Sequence, residues 1–513
     1  MTFSLPHQTR FIKLAHDFAA DFLRTTKTQA AFLTYQTKLQ VPNLKFRNFH
    51  SEPSSAQAPT KTMIVTSAES PTTNPVAKPK GNYRWVIIGL AFLITLINYL
   101  DRSAISFALE PLKREFGLDN AAFGKIAGAF GIGYLFMTIG GGMLTDRFGA
   151  RKIWAGAAFA WSAITAFLAL ASGLWTFILL RSSLGLAEGP HFPSLTRVCA
   201  DWLPVNERAR AAAFSLMAVP LSSVIGAPLI SQLIIHYGWR VMFVVLGSLG
   251  IAWAAVWVVF FRDFPEQSKH VANDEVLYIR SGVSISRTEN HNALRDHGCT
   301  GDKSTVASLL RNRSLMINNY AFFCFGYLLY FSVTWLPGFL QETYGLNLSQ
   351  VGTFLMIPWA TASVLLPLGG YISDQVWNRT QSLRKSRCHL MWICQLLSGL
   401  CLLPMLFKPD LQVALIMVSL GLGFGLMPNA AFYSLNCDLA KDRVATSQGL
   451  MTMFSSISSI GAPILTGWLV TASGNFTSAF GLLIFFTLSS VLAVFFFQHP
   501  DRYKLSKAAL KTI

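Results

Sequence analysis

From Trp85 to Gln498 the chain runs through twelve continuous apolar stretches separated by short polar breaks. A helix needs about 20 such residues to cross hydrocarbon, and a backbone in lipid must satisfy its own hydrogen bonds as a helix or a closed barrel. Barrel strands alternate apolar and polar positions over about 10 residues. These runs do not alternate, so helices are expected at 84–108, 123–145, 153–172, 175–200, 209–236, 239–261, 314–341, 348–373, 388–406, 411–436, 444–472 and 477–498. With 513 residues, 52% hydrophobic and 13% charged, the composition is that of an all-α integral membrane protein with twelve transmembrane helices, not of a soluble one.

The formal charge of +17 does not point to nucleic acid, because the basic residues alternate between loops instead of forming one patch. Arg147, Arg151 and Lys152 follow the second run, and Arg208 and Arg210 the fourth. Arg379, Arg384, Lys385 and Arg387 follow the eighth, and Lys441 and Arg443 the tenth. The opposite loops carry only Lys113, Arg114 and Lys125, then Arg240, then Lys408. The positive-inside rule puts the richer loops, both termini and the 262–313 connector in the cytoplasm. Seven cysteines, Cys199, Cys299, Cys324, Cys388, Cys394, Cys401 and Cys437, form no CxxC pair and read as apolar packing, not as disulfides or a zinc site.

Residues 1–83 lie outside the bundle, and Ser51 to Gly81, rich in Pro, Ser, Thr and Ala, reads as a flexible linker. Upstream, Phe11, Leu14, Phe18 and Phe22 keep helical spacing, as an interfacial helix or an organelle transit segment would; a translation start at Met63 is the plainer alternative. The chain opens on no charged-then-apolar signal peptide, so the first membrane helix is expected to serve as an uncleaved anchor.

The bundle repeats itself. Phe116-Gly117-Leu118-Asp119, Gly124 and Gly142-x-Leu144-x-Asp146 recur as Tyr344-Gly345-Leu346-Asn347, Gly352 and Gly370-x-Ile372-x-Asp374. Farther on, Pro193, Glu207-Arg208 and Ile225-Gly226-Ala227-Pro228 match Pro428, Asp442-Arg443 and Ile460-Gly461-Ala462-Pro463. Two six-helix halves, 84–261 and 314–498, therefore run in the same sense, joined by the connector and followed by a tail at 499–513. Substrate in such parallel repeats sits between the halves near the midplane.

Four charged residues fall well inside the expected spans, away from their ends: Asp101 and Arg102 in the first, Arg181 and Glu188 in the fourth. Each costs at least about 2.5 to 3.5 kcal/mol in hydrocarbon. Arg181 and Glu188 share one helix face about 10 Å apart, while Asp101 and Arg102 diverge by about 100°. A buried ion-pair clamp is the plain alternative, but the equivalent positions of the second half, Leu329, Ile416 and Gly423, are uncharged. Arginine suits a carboxylate and buried acids can carry protons, so the pattern favours an anion moved together with protons. Glu188-x-x-His191 resembles half of a carboxylate metal site, yet the further ligands such a site needs are missing from the spans. No metal and no cofactor is expected, and His191 is taken as pore-facing or packed. Gly131-x-Gly133 and Gly421-x-Gly423-x-Gly425 follow no strand, which argues against nucleotide binding.

Gly142-Met-Leu144-Thr-Asp146-Arg147-Phe-Gly149-Ala-Arg151-Lys152 resembles the loop-two motif of the major facilitator superfamily. Its glycines permit a tight turn, Asp146 is placed to sit at the N-terminus of the eleventh helix, and its arginines are placed to pair with Asp201. Four further segments strengthen the likeness: Asn98-Tyr99-Leu-Asp101-Arg102, Arg181-x-x-x-Gly185-x-x-Glu188-Gly189-x-x-Phe192-Pro193, Trp202-x-Pro204-x-x-Glu207-Arg208 and Tyr330-Phe331-x-x-Thr334-Trp335-Leu-Pro337. Over residues 82–500 the chain resembles the anion:cation symporter family of that superfamily, which includes hexuronate, galactonate, glucarate and phthalate permeases. The resemblance implies that Arg102 and Arg181 engage the substrate carboxylate, that Asp101 and Glu188 carry protons, and that Tyr99 and Tyr134 line the site. It also implies a conformational switch at Gly142, Asp146, Arg147, Gly149 and Arg151.

The seventh helix lacks the embedded arginine that a dicarboxylate would call for, which favours a substrate with one carboxylate and several hydroxyls, met by Tyr327, Tyr330 and Asn429. The resulting expectation is a proton-coupled importer of a sugar acid or aromatic carboxylate, monomeric, in the bacterial cytoplasmic membrane, with an organelle membrane as the alternative. Sodium coupling or exchange of an inorganic or organic anion is the runner-up. A drug exporter would prefer cations, which two embedded arginines oppose. A signalling transceptor would need a partner on the tail or connector, and nothing in the sequence supplies an enzyme's nucleophile with an adjacent base.

Overall fold

The computed structural model describes residues 81–280, 306–440 and 444–500. The linker, the Phe11 to Phe22 stripe and the Met63 alternative lie outside the described residues, as do most of the connector, Lys441 to Arg443 and the 501–513 end of the tail.

The helices in chain order are α1 (Tyr83–Phe107), α2 (Asn120–Phe148), α3 (Ala150–Phe167) and α4, which is broken into Leu174–Glu188 and His191–Trp202. A single run, Val205–Phe260, is divided by the non-helical Gly238 (φ 80°) into α5 (205–237) and α6 (239–260). The second half comprises α7 (Arg313–Tyr344), α8 (Leu348–Phe354 and Met356–Thr380), α9 (His389–Leu402), α10 (Leu411–Leu426 and Asn429–Leu439), α11 (Val444–Ser473) and α12 (Thr477–Phe497). Among the described residues ten runs are long and apolar enough to cross a membrane on length and composition. Gly238 makes two helices of one of these, and α4, interrupted at Gly189-Pro190 and carrying Arg181 and Glu188, is the twelfth.

The repeat is visible in the backbone. Gly117 and Gly345 both take the left-handed conformation, at φ 65° and 66°, which a residue without Cβ reaches at no steric cost. Two residues on, Asp119 accepts a hydrogen bond from the Ala122 N–H at 2.7 Å and Asn347 from the Gln350 N–H at 2.9 Å, so α2 and α8 start with equivalent N-caps.

The halves meet where α2 packs along α11 and α5 along α8. Both contacts depend on glycine: a Cβ on Gly124 would stand 2.6 Å from the Pro463 carbonyl oxygen, and one on Gly352 would stand 2.9 Å from that of Ala227. Small residues let helix backbones approach this closely in lipid. The same end carries Lys113 on Glu342 at 2.8 Å, Asn120 on Glu342 at 3.2 Å and the Ala121 N–H on Thr471 at 2.9 Å. Contacts between the halves thus gather at the end of the α1–α2 and α7–α8 loops.

At the opposite end the start of α1 is held by the helix at 273–280. Glu275 accepts the backbone N–H groups of Tyr83 and Arg84 at 3.3 and 3.1 Å and the Arg84 guanidinium at 2.9 Å. A carboxylate there also complements the helix dipole. Glu207, at the start of α5, takes Arg84 Nε at 2.8 Å and the Tyr278 hydroxyl at 3.1 Å. Burial pushes the Glu207 carboxyl up, but the Arg84 and Tyr278 hydrogen bonds and the Arg84 charge outweigh it and hold it below its ordinary value.

Candidate functional site

The four embedded charges come together because α2 and α4 touch backbone to backbone. A Cβ on Gly185 would lie 2.8 Å from Tyr134 N and closer still to the Phe130 carbonyl, and one on Gly133 would lie 2.8 Å from Leu186 N. This crossing turns the Arg181–Glu188 face of α4 toward α1. Arg102 Nε then donates to Glu188 Oε2 at 2.6 Å, across 86 residues of sequence. Arg102 is 5% and Glu188 0% exposed.

The Arg102 guanidinium is also enclosed by aromatic rings, its Cζ lying 4.8 Å from the centroids of Tyr99, Phe130 and Tyr134 alike. The Phe130 ring serves both arginines, since Arg181 Cζ lies 5.1 Å from it. Desolvated cation–π contacts of this kind contribute about 2 kcal/mol or more each, so they hold the arginines without consuming their N–H donors. Arg181 Nε and Nη1, Arg102 Nη2, Glu188 Oε1 and both oxygens of Asp101 are buried without a hydrogen-bond partner. Asp101 lies within electrostatic range of Glu188 and Arg181. With both acids ionised the cluster is neutral, and each proton it takes up leaves one positive charge uncompensated.

Across the interface the second half presents tyrosine hydroxyls. Tyr330 and Tyr433 lie within electrostatic range of Tyr99 and Tyr134, and Tyr330 also of Arg102. Asn429 begins the second segment of α10, half-buried, with its Oδ1 unpartnered. Tyr327 goes elsewhere: wholly buried, its ring packs 4.8 Å from Phe486 of α12, inside the second half. His191 is packed, between Trp154, Trp161 and Phe192. Sequence reasoning missed Phe130 and Tyr433; both lie one turn from residues already singled out, Tyr134 and Asn429, and that spacing is the signal that finds them.

In the loop-two motif, Gly149 turns the chain at φ 84° between α2 and α3. The Arg151 N–H donates to Asp263 Oδ1 at 2.8 Å and its guanidinium to the Val258 carbonyl at 2.7 Å, tying the turn to the end of α6. The expected pairing with Asp201 is replaced by Arg197, one turn back on the same helix, at 2.6 Å. Arg147 lies over the Phe148 ring at 5.2 Å, and Gly142 faces Pro193 in the second segment of α4. The Asp146 side chain lies outside the described residues.

The profile of the Major Facilitator Superfamily matches residues 91–462 and 380–512. The chain belongs to the Major Facilitator Superfamily. This facilitator is 30% identical over 399 residues to a Cupriavidus necator protein named "Probable sulfoacetate transporter SauU", covering 77% of this chain and 90% of the relative. It is 31% identical over 428 residues to the "Probable galactarate/D-glucarate transporter GudP" of Bacillus subtilis, covering 82% and 92%. With the hexuronate transporter of Bacillus subtilis it shares 27% over 417 residues, 81% of this chain and 94% of that one. Among solved structures, a bacterial homologue of the human lysosomal transporter Spinster, in an inward-facing and occupied conformation, superposes with a TM-score of 0.65 at 17% identity, covering 83% of this chain and 98% of that one. The inward open xylose transporter XylE of E. coli gives 0.64 at 16%, covering 81% and 96%. The facilitator fold of twelve helices in two parallel halves, and the likeness to anion:cation symporters read from the motifs, both stand.

Proposed function

We propose that this facilitator takes up an organic anion with protons, and that the anion is a sugar acid bearing a carboxylate and several hydroxyls. The observation that carries the reading is the buried Arg181 guanidinium with two unused N–H donors, beside an Arg102 already paired to Glu188. A carboxylate bound there gains charge-assisted hydrogen bonds in a low dielectric. It also competes with Glu188 for Arg102. Glu188, displaced, is best accommodated by taking up a proton, because an unpaired buried carboxylate is costly. Asp101, whose oxygens have no donor to lose, is the second proton carrier.

Tyr99, Tyr134, Tyr330, Tyr433 and Asn429 supply hydroxyls and an amide for a polyhydroxylated body. The name of the hexuronate relative supports one carboxylate on a polyhydroxylated body; galactarate and D-glucarate carry two carboxylates and support the polyhydroxylated body alone. Among the described residues, the polar contacts between the halves at the end of the α1–α2 and α7–α8 loops support alternating access by rocking of the halves, with the loop-two turn of Gly142, Asp146, Arg147, Gly149 and Arg151 as the moving joint. The bacterial relatives and the loop charges support a bacterial cytoplasmic membrane with both termini inside. One chain carries the whole site, so a monomer suffices.

The test is internal pH in proteoliposomes as sugar acids, aromatic acids and inorganic anions are added in turn. Acidification by a sugar acid in wild type but not in Glu188→Gln is expected, with exchange of labelled for unlabelled anion surviving the substitution. Unchanged accumulation in Glu188→Gln would remove Glu188 from the mechanism.

A further inference from the structure

One buried titratable side chain has no part in the reading above. His191 opens the second segment of α4, three residues after Glu188, and is 0% exposed. Trp154 Nε1–H, which can only donate, donates to His191 Nδ1 at 3.2 Å. The neutral ring therefore carries its proton on Nε2. That N–H is buried without a partner. Trp154, Trp161 and Phe192 stand edge-on to the ring at centroid distances of 5.6, 5.8 and 4.8 Å, so packing fixes its orientation as well as its tautomer.

An orphaned buried donor is costly, and a complementary orphan lies one turn away along α4. Glu188 uses only Oε2 on Arg102; its Oε1 is buried with no partner. Residues three apart are neighbours on a helix surface, and Gly189 and Pro190 between them keep near-helical torsions. The charged and titratable groups around the pair are Asp101 and Arg102 from α1, Tyr134 from α2, and Arg181 on α4 itself. From the other side come tryptophans, Trp154 and Trp161 of α3, with Trp253 and Trp257 of α6 behind Trp154. Asn98 of α1, a buried amide, also lies beside Glu188, but no hydrogen bond fixes its direction, whereas Trp154 and the surrounding rings fix that of His191.

We propose that His191 is a positioning residue, whose Nε2–H receives the Glu188 carboxyl when an anion takes Arg102 away from it. This rests on the reading that substrate displaces Glu188. Trp154 sets the tautomer, His191 offers the donor, and Glu188 moves between a charged partner and a neutral one without being left bare. The position is one of packing in the resting state and of hydrogen bonding in the loaded state.

Infrared spectroscopy of the full chain in lipid tests this without a substrate, using Arg102→Gln to release Glu188 from its ion pair. The protonated Glu188 carbonyl stretch is assigned by its loss in Arg102→Gln with Glu188→Gln. Adding His191→Phe should shift that band to higher frequency, because the carbonyl loses its donor. His191→Gln, whose amide N–H occupies nearly the same place, should restore it. Trp154→Phe, which leaves the histidine present but frees its tautomer, should move part of the band upward. A band at one frequency in Arg102→Gln with and without His191→Phe overturns the proposal, as does a His191→Gln spectrum no different from that of His191→Phe. If the band responds as expected while wild-type uptake carries no protons, the coupling reading fails and the positioning of Glu188 by His191 stands.

Discussion

Gly185→Ala should cost this facilitator its transport while leaving it folded. The added Cβ would stand 2.8 Å from Tyr134 N and nearer still to the Phe130 carbonyl oxygen, both main-chain atoms that cannot swing aside. To regain ordinary contact α2 and α4 must part by about 1 Å or more. The Arg102–Glu188 bond bridges α1 and α4 at 2.6 Å; opened by that amount it passes about 3.5 Å and ceases to be a hydrogen bond. Phe130 and Tyr134, two walls of the cage around Arg102, shift with α2. Misplacing a reacting group by about 1 Å can lower a rate roughly 100-fold, and a comparable loss of uptake is expected here. Overpacking of this kind destabilises by about 1–3 kcal/mol, which thermal unfolding in detergent reads separately. Gly89 in α1 and Gly156 in α3 are matched controls, since a Cβ on either meets nothing within 4 Å. Alanine there should stabilise by about 0.8–1 kcal/mol through helix propensity and leave uptake intact. Wild-type uptake by Gly185→Ala, at wild-type expression, would refute the claim that this crossing sets the site.

Three more expectations follow from the geometry. Arg84 and Tyr278 hold the Glu207 carboxyl below its ordinary value of 4.5, so the stability it contributes is complete above that pH and is lost as pH falls through the lower folded value; thermal unfolding of wild type should steepen its pH dependence there, and equal slopes in wild type and Glu207→Gln would contradict the pairing. Tyr433→Phe, which removes one hydroxyl from the substrate side of the second half, should raise the KM for a polyhydroxylated acid about 5-fold, as the loss of roughly 1 kcal/mol implies, and leave an aromatic acid unaffected; equal effects on both would place Tyr433 outside the site. A Cβ on Gly131 would contact the Ser459 hydroxyl across the α2–α11 interface, so Gly131→Cys with Ser459→Cys, in a background without other cysteines, should cross-link under oxidation, arrest uptake and recover on reduction. Undiminished uptake by the cross-linked protein would rule out rocking at that interface.

Much of this was legible in the chain itself. Hydropathy runs, turn glycines and helix caps are local properties, each written within about one helix length, and they suffice to count twelve spans, to find the repeat in Gly117 and Gly345, and to mark Asp101, Arg102, Arg181 and Glu188 as out of place in hydrocarbon. The family likeness rests on the same local motifs. Tertiary structure decided what those residues touch. That Glu188 chooses Arg102 and leaves Arg181 free depends on the rotation of α4 about its axis, fixed by the Gly133 and Gly185 crossing with α2. Tyr327 packs against Phe486 while Tyr330, one turn on, faces Arg102 and Tyr99, because α7 is packed by several helices and successive residues of it meet different ones. Asp201 pairs with Arg197, one turn away on its own helix, in place of the loop-two arginines, and His191 meets Trp154 of α3, a contact that no spacing along the chain announces. Spacing along one chain determines which side of a helix a residue occupies; which other helix stands on that side is set by backbone contacts between segments far apart in sequence.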